Sequence, residues 1–182
     1  MHNVLISGIQ QLGVGIPNTD TAFEWYRNAF GLDVPVFREA AEAPFMTPYT
    51  GGEVQSRDAM LAVNLAGGGG MEIWQYTSRT PQPPQNEIEI GDYGLLAGRI
   101  KTRGVHQAYQ RLQARGVDVL GGVAEDPAGA ARVSVRDPWG NVFQLVESAD
   151  WFSRPRRQTG GISGALIGVS DMAGALDFYA TV

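Results

Sequence analysis

The chain predicts an α+β fold made of two tandem β-α-β-β-β units, and three observations carry that prediction. Short runs alternate apolar with polar or bare residues, two stretches repeat apolar residues at helical spacing, and the whole order recurs after a shift of 86 residues. At 182 residues with 43% apolar and 18% charged side chains, the chain affords one well-buried core with a remainder, and it is neither charged nor polar enough to stay disordered.

Residues 9–16 open the first unit as a strand, with Leu12, Val14 and Ile16 on one face and Gln11, Gly13 and Gly15 on the other. Pro17-Asn18-Thr19 breaks the strand and offers N-caps, after which Ala22, Phe23, Tyr26 and Phe30 mark a helical face that ends at Gly31. Extended segments follow at 34–38, 59–64 and 71–76, with an irregular connection at 39–57 between the first two. That connection carries Phe45, Met46 and Tyr49, so it serves either as a lid or as an ordered flap of core. The glycine run at 67–70 lacks a following Lys-Ser/Thr and joins two strands, which makes it a hairpin connection rather than a phosphate loop.

Prolines 81, 83 and 84 make residues 78–85 a semi-rigid connector to the second unit. There, 95–101 is strand-like and Val105, Ala108, Tyr109 and Leu112 form a helical face closed by Gly116. Strands at 117–120, 131–136 and 142–147 complete the unit, the last two joined by the turn Asp137-Pro138-Trp139-Gly140-Asn141. The expected organisation is thus a domain over 1–148, with units at about 6–77 and 91–148, and a linker at 149–161. The linker's Arg154, Arg156 and Arg157 are either solvated or a site for an acidic ligand. From Ile162 a third copy begins, with Ala175-Leu176-Asp177-Phe178-Tyr179 matching Ala22-Phe23-Glu24-Trp25-Tyr26, and it stops inside its helix at Val182. A strand and helix without their three following strands cannot bury their apolar faces, so the chain is expected to be part of a longer protein.

Composition excludes several chemistries. With no cysteine there is no disulfide, thiolate metal site or cysteine nucleophile, which suits a cytoplasmic location. A net charge of −5 without a long basic run gives no footprint for nucleic acid, and no run of about 18 apolar residues suggests a membrane partner. Of the two histidines, His2 lies near a terminus and His106 in the first turn of an outer helix, so neither serves a shared ligand site. No Ser or Thr sits in a nucleophile-elbow context.

The tandem unit, the strand running into Pro17-Asn18, the Ala22-Phe23-Glu24-Trp25-Tyr26 helix and the Asp-Pro-Trp-Gly-Asn turn before Val142-Phe143-Gln144-Leu145 together resemble the vicinal oxygen chelate superfamily, which includes glyoxalases, bleomycin-resistance proteins and extradiol dioxygenases. The resemblance covers about four fifths of the chain and rests on order and spacing rather than on one motif. It implies a half-open, mostly antiparallel eight-stranded barrel with helices outside and a cup that holds the ligand and often a divalent metal. The family draws its metal ligands from the first and last strand of each unit, and those positions fall here on Gln11, Glu72, Ala97 and Gln144.

Such a set is one carboxylate, two amides and a methyl, and neutral amide oxygens are poor donors to first-row metals. The expectation is therefore a metal-free cup binding a small organic molecule through Gln11, Glu72, Trp74, Tyr76, Arg99 and Gln144. Alternatively, a divalent ion sits on Gln11, Glu72 and Gln144 in a lyase, isomerase or ring-cleaving dioxygenase, or this is the non-catalytic half of one. Each residue also has a plainer role: Gln11 and Gln144 hydrogen-bonding across the cup, Glu72 pairing with an arginine such as Arg99, and Trp74 and Tyr76 filling core. The corresponding position of the third copy is Gly164, and family analogy makes a homodimer an expectation.

Overall fold

The structure is a computed structural model, and it describes residues 8–152 and 157–181. Two sheets carry it. The first contains β1 (Gln11–Gly15), β2 (Val34–Glu42), β3 (Ser56–Val63) and β4 (Gly70–Tyr76) in the order β1-β4-β3-β2. The second contains β5 (Gly94–Thr102), β6 (Asp118–Glu125), β7 (Ala131–Arg136), β8 (Val142–Glu147) and β9 (Thr159–Gly168) in the order β6-β7-β8-β5-β9. Each unit runs its opening strand parallel to its closing one, β1 with β4 and β5 with β8, and all other pairings are antiparallel. The α+β class and the repeated unit are as expected. The sheets do not close into a barrel, and a ninth strand joins the eight that the two units supply.

Helix α1 (Thr19–Phe30) starts where Asn18 Oδ1 accepts the Thr21 N–H at 2.9 Å and ends at Gly31, whose φ of +70° is the left-handed cap that glycine adopts freely. Helix α2 (Val105–Ala114) buries Val105, Ala108 and Leu112, three of the four residues whose spacing predicts it. Both helices pack into one core shared by the two units, in which Val14, Ile16, Tyr26, Phe30, Met71 and Ile73 from the first meet Ile100, Leu112, Val133, Phe143 and Leu145 from the second. At the seam Leu12 reaches Gly98, where a Cβ would stand 2.5 Å from the leucine methyl and 3.1 Å from the Phe143 ring, so a side chain at 98 would force the Leu12 methyl to shift.

Two readings of the sequence are corrected. Residues 39–42 are not loop: β2 continues to Glu42, paired residue for residue with Ser56 to Ala59, and a 3-10 segment (Pro44–Tyr49) occupies part of the remaining connection. Glu-Ala-Ala-Glu has little strand propensity of its own, and pairing with β3 overrides it, helped by Arg57, whose guanidinium donates to the Glu39 carbonyl and carboxylate, both at 2.7 Å. The third copy's strand begins at Thr159, three residues ahead of the expected start, and pairs antiparallel with β5.

The glycine run does join β3 to β4, and it has a second duty. Gly161 N–H donates to the Gly67 carbonyl at 2.7 Å, and Gly69 and Ile162 exchange both backbone bonds at 2.7 and 2.9 Å. A Cβ at Gly68, already at φ +100°, would stand 2.8 Å from the Gly161 backbone, so backbone passes over backbone with no room for side chains. Helix α3 (Met172–Thr181) buries none of its residues. No helix among the described residues is long and apolar enough to cross a membrane.

Candidate functional site

Register places Gln11, Glu72, Trp74 and Tyr76, four of the six expected contacts, on one face of the first sheet. Gly13 lies opposite Glu72 and Gly15 opposite Trp74 across β1 and β4, and Ala59 lies opposite Trp74 and Arg57 opposite Tyr76 across β4 and β3. Period-two alternation therefore sets Gln11, Glu72, Trp74 and Tyr76 on the side away from Val14, Met71 and Ile73. A Cβ built at Gly13 or Gly15 meets nothing within 4 Å, so this face has open space above β1.

Gln11 Nε2 donates to Glu72 Oε2 at 2.7 Å, uniting two of the four ligand positions. Further along β4, the Arg57 guanidinium stands 5.0 Å from the Trp74 ring centre, Trp74 meets Tyr76 edge-on at 6.0 Å, and Arg79 stands 5.9 Å from the Tyr76 ring. Cations thus flank an aromatic pair, an arrangement that the ring quadrupoles favour. Trp74 Nε1 is buried and has no hydrogen-bond partner among the described residues.

On the second sheet Arg99 lies opposite Gln144 on β8 and Gly164 on β9. Arg99 is paired with Asp126 at 3.1 Å, not with Glu72. The Asp126 carboxylate is held below the ordinary aspartate range, first by the Ala130 N–H, then by the Ala128 N–H and by Arg99, against an opposing desolvation. The β6–β7 turn, in which the sequence showed no partner, supplies that carboxylate. Gln144 is buried at 7% exposure, and no hydrogen bond from its amide is found among the described residues. Ala97 is buried and meets Gly13 in a hollow of about 70 Å³ with Leu12, Val142 and Phe143. No group of three His, Cys, Asp or Glu among the described residues could hold a metal ion. Of the linker arginines, 154 and 156 lie outside the described residues, and Arg157 pairs with Asp33 at 2.8 Å.

Beyond Tyr76 the open face runs into a groove of about 660 Å³ between the end of β1, the proline connector and the Asp137–Asn141 turn. Tyr49, Tyr76 and Trp139 line it, with Arg79, Gln82 and Asn141 as its polar groups. Of the six expected contacts it takes Tyr76. By sequence Arg79 falls in the connector over 78–85, and a cation three residues beyond Tyr76 and two before the first of three prolines is the signal that marks it. The turn is fixed from across the molecule: Asp137, 3% exposed, accepts from the Tyr26 hydroxyl at 2.5 Å and from Asn141 Nδ2 at 2.7 Å, and also from the Trp139 and Asn141 N–H groups. Burial first, then the Asp137 charge, pushes the Tyr26 pKa far up.

A sequence model of the Glyoxalase/Bleomycin resistance protein/Dioxygenase superfamily matches residues 8–145. Among solved structures, a glyoxalase family protein from Bacillus cereus is 15% identical with a TM-score of 0.63, over 81% of this chain and 97% of its own. A glyoxylase/bleomycin resistance protein/dioxygenase domain from Frankia sp. EAN1pec is 14% identical with a TM-score of 0.57, over 79% and 99%. A candidate dioxygenase from Bacillus subtilis subsp. subtilis strain 168 is 16% identical with a TM-score of 0.66, over 96% of this chain and 54% of its own, so this chain spans about half of that protein. At these identities the structures show a shared fold.

Proposed function

Because the chain belongs to the Glyoxalase/Bleomycin resistance protein/Dioxygenase superfamily, we propose that its domain binds a small organic molecule and does so without a tightly held catalytic metal. The observation that supports this reading is the Gln11–Glu72 hydrogen bond of 2.7 Å. Glu72 is the one anion among Gln11, Glu72, Ala97 and Gln144, and a neutral amide already occupies one of its oxygens. Lewis-acid chemistry of the lyase or dioxygenase kind needs an ion held by strong donors with positions left open. One carboxylate, two amides and a methyl do not fit that requirement, so no step is derived through a metal.

The same residues suit an organic ligand. The bare glycines of β1 leave room, Trp74 and Tyr76 offer flat apolar surface, and Glu72 and Gln11 can exchange their mutual bond for bonds to a ligand at little cost. Gln144 and Arg99 are the corresponding polar groups of the second sheet.

Two measurements test the reading. Metal analysis of the purified protein should find no stoichiometric Zn, Mn, Ni or Fe, and a panel of aromatic and polar metabolites should raise the thermal midpoint where divalent ions do not. A stoichiometric metal that disappears in Glu72→Ala would overturn it.

A further inference from the structure

We infer that the groove beyond Tyr76 is a subsite for the anionic group of a planar aromatic molecule, with Arg79 as the group that recognises the charge. This rests on the small-molecule reading above and adds the ligand's class and place.

Shape comes first. About 660 Å³ is the volume of a site for a small organic ligand, and the walls are aromatic from three distant parts of the chain. Tyr49 comes from the 3-10 segment, Tyr76 from the end of β4 and Trp139 from the β7–β8 turn. Tyr49 is 79% exposed, a large ring left in water at the mouth of a groove that already holds two others. Two sides of the lining are restrained: the connector has prolines at 81, 83 and 84, and Asp137 holds its turn by accepting from the Trp139 and Asn141 N–H groups. A wall set before the ligand arrives loses little conformational freedom on binding.

Charge then selects the ligand. Among the described residues Arg79 is the one charged member of the lining. Arg38, Arg57, Arg99, Arg136 and Arg157 each hold a carboxylate, whereas Arg79 contacts the Tyr76 ring and has no carboxylate partner among the described residues. A guanidinium beside aromatic walls, with no carboxylate on the lining to compete, suits a bidentate bond to an aromatic carboxylate. Asn141 also lines the groove, and with its Nδ2 committed to Asp137 its amide oxygen is the group that remains to accept from a ring hydroxyl or amine.

Calorimetric titration with 2-naphthoate, with neutral 2-naphthamide as its matched control, tests the inference on the wild type and on Arg79→Ala, Arg79→Lys and Tyr49→Ala. Arg79 and Tyr49 are exposed, so these variants keep the core intact. Binding of naphthoate should fall about tenfold in Arg79→Ala and less in Arg79→Lys, and naphthamide should bind about tenfold more weakly than naphthoate. Tyr49→Ala should weaken both compounds. In 15N-labelled protein the Trp139 indole N–H should shift on titration while that of Trp74 stays in place. No binding of naphthoate at millimolar concentration, equal binding of the two compounds, or an unchanged Arg79→Ala would each overturn the inference. Naphthoate that shifts Trp74, ignores Arg79 and is lost in Glu72→Gln would reject the groove and leave the small-molecule reading standing. Failure of that reading has a separate sign, the stoichiometric metal lost with Glu72.

Discussion

Removing the Tyr26 hydroxyl tests whether the two units are held by a polar link as well as by their shared core. In Tyr26→Phe the ring keeps its neighbours, with Phe143 at 5.8 Å, Trp139 at 5.9 Å and Phe30 at 6.1 Å between centroids, so no cavity larger than an oxygen forms. What is lost is one of four donors to a buried carboxylate, at 2.5 Å. Hydrogen bonds to charged groups contribute about 1.5–3 kcal/mol, and the loss should be read as that drop in urea-unfolding free energy at pH 7. For a chain of this size it lowers the thermal midpoint by about 4–10 °C. The alkaline limb supplies an independent reading. Burial and the Asp137 charge raise the pKa of folded Tyr26 above the unfolded value near 10, so the stabilisation is complete below about pH 10. Above it the unfolded chain releases a proton that the folded chain retains, and this residue's contribution falls by about 1.4 kcal/mol per pH unit. Tyr26→Phe cannot show that loss, so its alkaline slope should be shallower than that of the wild type. A variant within about 0.5 kcal/mol of wild type at pH 7, with a parallel alkaline slope, would refute the reasoning.

Three further outcomes are expected. Gly68→Ala places a Cβ 2.8 Å from the Gly161 backbone at a φ of +100°, so it should cost about 2 kcal/mol or more in urea unfolding, against a small change for Gly122→Ala, where a Cβ meets nothing within 4 Å. Ile162→Ala removes a side chain 2% exposed from the core shared by both units and should cost about 2–5 kcal/mol, whereas Ile167→Ala, at 41% exposure on the same strand, should cost about 1 kcal/mol or less. Gln144→Met exchanges a side chain 7% exposed, whose amide makes no hydrogen bond among the described residues, for an apolar chain of similar length. It should leave stability within about 1 kcal/mol of wild type or raise it while weakening ligand binding, and a clear loss of stability would mean that the amide is already satisfied.

Local pattern made most of the fold legible, because period-two and period-3.6 spacing report which side chains must leave water. Leu12, Val14 and Ile16 on one side of β1 and Gln11 on the other could be read from that spacing, as could the placement of Glu72, Trp74 and Tyr76 on a single face of β4. What escaped depends on partners far along the chain. The extension of β2 through Glu39–Glu42 comes from pairing with β3, Arg99 finds Asp126 27 residues on, and Tyr26 finds Asp137 111 residues on. The groove assembles Tyr49, Tyr76, Arg79 and Trp139 from segments that no window of sequence holds together. Patterning specifies faces; it does not specify which faces meet.

The opening of β9 shows how far that distinction reaches. By sequence it begins another copy of the unit, and the expectation is a separate element after a linker. In the fold, Thr159 to Ile162 are buried, Asn64 Nδ2 donates to the Thr159 carbonyl at 2.9 Å, and the Thr159 hydroxyl donates to the Phe30 carbonyl at 2.7 Å, where α1 ends and its carbonyls lack intrahelical partners. Its backbone pairs with Gly69 of the first unit and with β5 of the second. The strand therefore satisfies helix-end groups of the first unit and backbone groups of both units that would otherwise face water, while α3, which follows it, buries none of its residues. Repetition in sequence tells which residues share a local pattern. The hydrogen bonds make β9 part of the second sheet and place its glycine pair where only the 67–70 glycines could let it pass.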